Sequence, residues 1–106
     1  MATALAALMS WPSLHLAPHA SPIDDLTRLR KALGRTCPRL LMKRDDLLSF
    51  AMGGNKVRKM EAVAAEAQAA HADVLITCGG VQSNHARVTA ATGAALPTRT
   101  SRFRCR

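Results

Sequence analysis

Asp73-Val74-Leu75-Ile76-Thr77-Cys78-Gly79-Gly80-Val81-Gln82-Ser83-Asn84-His85 is the stretch whose reading decides the fold class. Residues 73–77 form a run of β-branched and leucine side chains, which predicts a strand buried on both faces of a parallel sheet. Gly79-Gly80 breaks the strand, and Ser83 then stands where a helix cap belongs. The helix predicted after it reaches about Gly93, with Ala86, Ala90 and Ala94 as a small-residue stripe. Working upstream, residues 39–43 read as a short strand around Leu40-Leu41-Met42, and residues 45–54 as a loop. Asn55 sits at the cap of a helix running to about Ala70, with Val57, Met60, Val63, Ala64 and Ala67 on one face. Strand, helix, strand, helix is the order of an α/β unit with right-handed crossovers.

Further from that centre the pattern thins. Pro12, Pro18 and Pro22 block a long helix, so residues 1–21 are expected to be an extended or disordered arm, after a short frayed helix at most. Asp24 or Asp25 is placed to cap a helix to about Leu33, which Gly34 ends. Residues 22–96 make up the α/β portion. An α/β unit calls for another apolar strand after Leu96, yet residues 97–106 contain no apolar run and read as a basic tail foreign to what precedes them.

A chain of 106 residues is one domain or part of one, and its 48% apolar content comes largely from small side chains, so the core is expected to be marginal. The net charge of +8 suggests nucleic acid at first sight, but half of it comes from Arg99, Arg102, Arg104 and Arg106 in the last nine residues. No aromatic ladder accompanies them, so no nucleic-acid partner is expected. Cys37, Cys78 and Cys105 show no metal-binding or disulfide spacing and fit a reducing compartment, the cytoplasm. No run approaches membrane-spanning length, so no membrane partner is expected, and the apolar start lacks the basic residues of a targeting signal.

Two glycine turns could carry chemistry. Gly53-Gly54-Asn55-Lys56-Val57-Arg58-Lys59 puts Lys56 at a helix start among cations, where the helix dipole, like charge and burial all favour the neutral amine. A neutral amine can attack an aldehyde to form a Schiff base. The ordinary alternative is a solvated lysine. In the second turn, Gly79 and Gly80 let the backbone approach a ligand, and the helix start after them offers N–H groups to a carboxylate or phosphate. Ser83 and Asn84 can bind there, or serve only as cap and turn former. Cys78 reads as a core residue, Asp45 and Asp46 as loop-orienting partners of Arg44 or Arg58, and Arg87 as the partner of a carboxylate.

Lys43-Arg44-Asp45-Asp46-Leu47, the Gly53–Lys59 stretch and Gly79-Gly80-Val81-Gln82-Ser83-Asn84-His85-Ala86-Arg87 together resemble the D-cysteine desulfhydrase and 1-aminocyclopropane-1-carboxylate deaminase family, in order and in spacing. The resemblance covers residues 22–96. It implies a fold-type II, tryptophan-synthase-β-like enzyme that uses pyridoxal 5'-phosphate, acts on a small amino acid and forms a homodimer at full length. By resemblance, Lys56 is the catalytic lysine that holds the cofactor and moves protons. Asn84 bonds the cofactor's ring hydroxyl, and Asn55 positions Lys56. Ser83 contacts substrate and assists proton transfer, and Asn84 and His85 complete the substrate contacts. His85 favours the desulfhydrase branch, which releases sulfide, pyruvate and ammonia, over the deaminase branch, which opens a cyclopropane ring. No metal site is implied.

Members of this family are roughly three times as long. The phosphate-binding glycine loop and the partner of the ring nitrogen have no counterpart in this sequence. The expectation is an incomplete three-layer α/β fragment, a truncated product or a misread frame, weakly active or inactive as it stands. A non-catalytic remnant and a basic nucleic-acid-binding module are the other classes.

Overall fold

Asp24 and Asp25 do not cap a helix. In the computed structural model, which describes residues 2–96 and 99–103, they lie in a strand. The order is α1 (Ala2–Met9), β1 (Ile23–Asp25), α2 (Thr27–Leu33), β2 (Leu41–Lys43), two single 3-10 turns at Asp45–Leu47 and Phe50–Met52, α3 (Asn55–Ala69), β3 (Val74–Cys78), α4 (Asn84–Ala95) and β4 (Arg99–Phe103). β1 pairs antiparallel with β2, Asp24 opposite Met42. The two carboxylates are used across this ribbon instead of along a helix: Arg39 Nε bonds Asp25 at 2.8 Å and Arg44 Nη1 bonds Asp24 at 2.6 Å. In the strand each aspartate meets a distant guanidinium across the ribbon, a partner that a cap position on α2 would not give it. Helix α2 starts after Leu26 with no side-chain cap.

The second sheet is parallel. β3 and β4 pair from Val74 opposite Arg99 to Cys78 opposite Phe103, with α4 as the connection. The backbone at residues 99–103 therefore supplies the next strand of the α/β series where composition had indicated a foreign tail. Backbone hydrogen bonding needs no apolar side chain, which is why the sequence pattern hid it. Residues 97–98 and 104–106 of that expected tail lie outside the described residues.

One core sits between α3, α4, β3 and the segments laid over them. Ala17, Leu48, Val57, Met60, Leu75 and Val88 are buried there, flanked by Leu16, Phe50, Ala51 and Ala67. The expected face of α3 is in place at Val57, Met60 and Ala64, whereas Val63 is exposed. β3 is not buried on both faces. Leu75 and Thr77 point into the core, while Ile76 remains 69% exposed. Helices cover one side of this sheet, and no described element covers the other. The Cα radius of gyration of 17.3 Å matches this openness, since a compact domain of this length has a radius of about 13 Å.

The stretch between α1 and β1 contains no regular element, yet it is tied to α3. The Leu14 amide donates to the Glu61 carbonyl oxygen at 2.9 Å and the Ala17 amide donates to Oε1 of Glu61 at 3.3 Å. Buried Glu61 also accepts from Arg58 Nη1 at 3.3 Å. Ser21 Oγ, buried at the far end of the stretch, donates to Asp45 at 2.7 Å and accepts from Lys43 Nζ at 2.6 Å. Residues 14–21 thus run from the middle of α3 to the turn that precedes it.

With so few large buried side chains, each one matters. Met60 is 1% exposed, and Met60→Ala is expected to cost about 2–5 kcal/mol. That is comparable to the whole stability of a small domain. Urea unfolding followed by circular dichroism should show loss of the cooperative transition.

Candidate functional site

Lys56 owes its place to the turn before it. Ala51 (φ 49°), Met52 (φ 62°), Gly53 (φ 72°) and Gly54 (φ 98°) are consecutive residues in positive-φ conformations. Such a run reverses the chain tightly enough to deliver it into α3, at a cost in strain where Ala51 and Met52 carry side chains. Gly53 has no alternative, because a Cβ there would collide with the Asp46 carbonyl oxygen. The turn is held by Gly54 N donating to Asp45 O at 2.6 Å and Gly53 N donating to Phe50 O at 2.9 Å. Gly54, not Asn55, occupies the cap position of α3. Asn55 is the first helical residue, is exposed and makes no cap bond.

The acids of this region are spent on other cations, as expected for Asp45 and Asp46. Arg44 Nη2 pairs with Asp46 at 2.7 Å, and Asp45 lies 3.8 Å from Lys43 Nζ and 3.9 Å from Arg58 Nε. The hydrogen bond and charge of Arg44 hold the Asp46 carboxyl below its ordinary pKa, while bonds to Asp46 and Asp24 raise the guanidinium's. Lys56 is half-buried, and among the described residues its amine has neither a hydrogen-bond partner nor a counter-ion.

The second turn carries α4. Ser83 Oγ accepts from the Ala86 amide at 3.2 Å and caps the helix, leaving the hydroxyl's own hydrogen without an acceptor among the described residues. A Cβ on Gly79 would lie 2.8 Å from Ser83 Oγ, so the cap requires glycine at that position. Asn84 is exposed, and its Oδ1 accepts from Arg87 Nη2 at 3.1 Å. His85 is half-buried, and its Nδ1 is buried with no hydrogen-bond partner.

Arg87 joins the two turns. Its Nη1 donates to the Ala51 carbonyl, and its Nη2 lies 3.5 Å from the Gly53 carbonyl. Its expected carboxylate partner is absent, because the neighbouring acids are already paired and the reversed turn presents carbonyl oxygens to α4 instead. The starts of α3 and α4 are thereby brought to the same end of the molecule, with Lys56 three residues after Gly53 and with Asn84 on the same guanidinium. Arg87 thus pairs with backbone carbonyls and the Asn84 amide instead of a carboxylate. A run of four positive-φ residues, whose carbonyls need a donor, is the structural signal for it. Cys78 is exposed at the end of β3 and is not a core residue. A cavity lined by Leu14, Gln68, His71 and Asp73 lies at the opposite end of α3, away from Lys56. No group of three or more potential metal ligands occurs among the described residues, and no described helix is long and apolar enough to cross a membrane.

No protein-family model matches the chain. It is 48% identical over 89 residues to a D-cysteine desulfhydrase of Serratia proteamaculans and 47% identical to that of Yersinia enterocolitica. Each match covers 84% of this chain and 26% of the relative. A crystal structure of an ACC deaminase homologue superposes with a TM-score of 0.80 at 37% identity, covering 92% of this chain and 29% of that one. The chain thus spans about a quarter of the length of the curated relatives it matches, at their N-terminal part. The resemblance drawn from the three motifs is borne out, and so is the fold class: a small α/β arrangement that matches part of a fold-type II structure.

Gly79→Ala should displace Ser83 and cost at least as much stability as Ser83→Ala, about 1 kcal/mol for the lost cap, read from urea midpoints. Asp46 titrates below its ordinary pKa, so its pairing with Arg44 stabilises the fold at neutral pH and is lost as the pH falls through that lowered value. Asp46→Asn should abolish this acid-dependent part of the melting temperature. The change should be small, because the pair is exposed.

Proposed function

We propose that this chain carries the lysine-bearing part of a pyridoxal-phosphate-dependent enzyme of the D-cysteine desulfhydrase type, acting on a small amino acid. The observation that carries this reading is that Arg87 ties the turn leading into Lys56, whose half-buried amine has no counter-ion among the described residues, to Asn84 at the start of a second helix.

The donor set fits the aldehyde end of the cofactor. An unpaired amine at Lys56 suits a carbonyl carbon, and the Asn84 amide and Ser83 hydroxyl supply neutral hydrogen bonds beside a glycine turn. It does not fit the phosphate end to the same degree, because the Ser83 side chain already caps α4 and the Gly53 carbonyl of the other glycine turn faces Arg87. When bound, the cofactor supplies an electron sink for the charge left at Cα after proton removal.

The chain's own residues do the remainder. With the cofactor bound, Lys56 would hold its aldehyde carbon and would move a proton at the substrate's Cα, and Asn84 would offer a hydrogen bond to the ring oxygen. Ser83 keeps its hydroxyl hydrogen for the substrate, and the free N–H groups at the start of α4 suit its carboxylate. Asn55 lines the same helix start beside Lys56, and His85 flanks the substrate from α4. Elimination of sulfide from D-cysteine, completed by water, gives pyruvate and ammonia. Ring opening of 1-aminocyclopropane-1-carboxylate is the second reading, favoured by the superposition on an ACC deaminase homologue. Free Cys37 and Cys78 suit a reducing, cytoplasmic setting.

The test is to add pyridoxal 5'-phosphate to the purified chain, reduce with borohydride and map the pyridoxyl group by peptide mass. Lys56 should carry the label in preference to Lys31, Lys43 and Lys59, and Lys56→Ala should remove it. Equal labelling of all four lysines would contradict the reading.

A further inference from the structure

We infer that Arg87 is a positioning residue of this site, which sets both the place of the Lys56 amine and the donor character of Asn84. The inference deepens the proposed function and rests on it for the identity of the ligand.

The first half follows from the turn. Ala51 and Met52 hold left-handed conformations that side chains disfavour, and Met52 is exposed, so packing does not enforce its conformation. A strained segment persists only where its surroundings over-determine it. Here the carbonyls of Ala51 and Gly53 both face Arg87, one on each terminal nitrogen. The guanidinium is a planar fork that reaches two acceptors at once, which a lysine ammonium at the same place does not match. Because Gly53 leads directly into α3, fixing its carbonyl fixes the first turn of that helix, where Lys56 sits.

The second half follows from donor and acceptor chemistry. A guanidinium only donates, so the Asn84 atom facing it at 3.1 Å is the carbonyl oxygen. The amide nitrogen must therefore face away from Arg87, toward the exposed side of the helix start. Asn84 then turns its two N–H donors to the exposed side, with its oxygen engaged by Arg87. The matching ligand atom is an acceptor oxygen, and one of the phenolate or carboxylate kind accepts the stronger bond.

Both halves share one side chain, which makes them testable together in the full chain. Wild type, Arg87→Met and Arg87→Lys are compared by hydrogen exchange without ligand, and by borohydride labelling with pyridoxal 5'-phosphate. In Arg87→Met, exchange across residues 53–56 should rise about tenfold, as for the loss of one charge-assisted hydrogen bond, while residues 63–69 stay protected. The ratio of label on Lys56 to label on Lys59 should fall toward one, and millimolar guanidinium should restore it. A general loss of stability would move both lysines alike and leave that ratio unchanged. Should Arg87→Met lose its helical circular dichroism, Arg87→Lys is read in its place, with the same direction and a smaller change. Unchanged exchange and an unchanged label ratio in a folded variant would overturn the inference. Wild-type labelling away from Lys56 would overturn the proposed function, while the exchange result would still decide the role of Arg87 in the turn.

Discussion

One guanidinium holds this structure's two informative turns together. Arg87 stands one helical turn into α4 and spends its terminal nitrogens on the Ala51 and Gly53 carbonyls and on Asn84. These carbonyls exist as acceptors only because the chain reverses through four positive-φ residues before α3. Left without a donor, a buried carbonyl costs more than the modest net stabilisation that a formed bond contributes. The arginine thus adds to the turn's own bonds, Gly54 N to Asp45 O and Gly53 N to Phe50 O. The pairing of turn and arginine brings Lys56 to the same end of the molecule as Ser83 and Asn84.

Support from the rest of the chain is uneven. Residues 14–21 brace α3 through Glu61 and brace the Asp45 turn through Ser21, so the site's lysine helix is held from the side as well as from α4. The outer face of β3 has no such cover, and Ile76 stays exposed on it. Parallel sheets are normally covered on both faces. The relatives are about four times as long as the matched region, so much of their structure has no counterpart in the residues described here. The result is a pair of turns bonded to each other on an open scaffold.

Much of this was legible in the sequence, for identifiable reasons. α3 and β3 announced themselves through helical spacing and a β-branched run, and Ser83 through its place after Gly79-Gly80; each of these signals is local. The failures were long-range. Asp24 and Asp25 looked like caps because their partners, Arg44 and Arg39, are distant in sequence and are met only across the β1–β2 ribbon. Ile76 looked buried because a β-branched run signals a covered strand, whereas no described element covers that face. The strand at residues 99–103 carried no apolar signal, since its ladder is made by backbone groups. Arg87 was given a carboxylate on charge alone, and no pattern in the residues shows that the turn ahead of Lys56 turns its carbonyls toward α4.

The central claim is that the two glycine turns form one ligand site. Amide chemical-shift mapping of the isotope-labelled chain during titration with pyridoxal 5'-phosphate addresses it most directly. The account predicts that residues 53–56 and residues 79–87 shift together, with one shared binding curve. Shifts confined to one of the two turns, or to the arginines at 99–106, would contradict it.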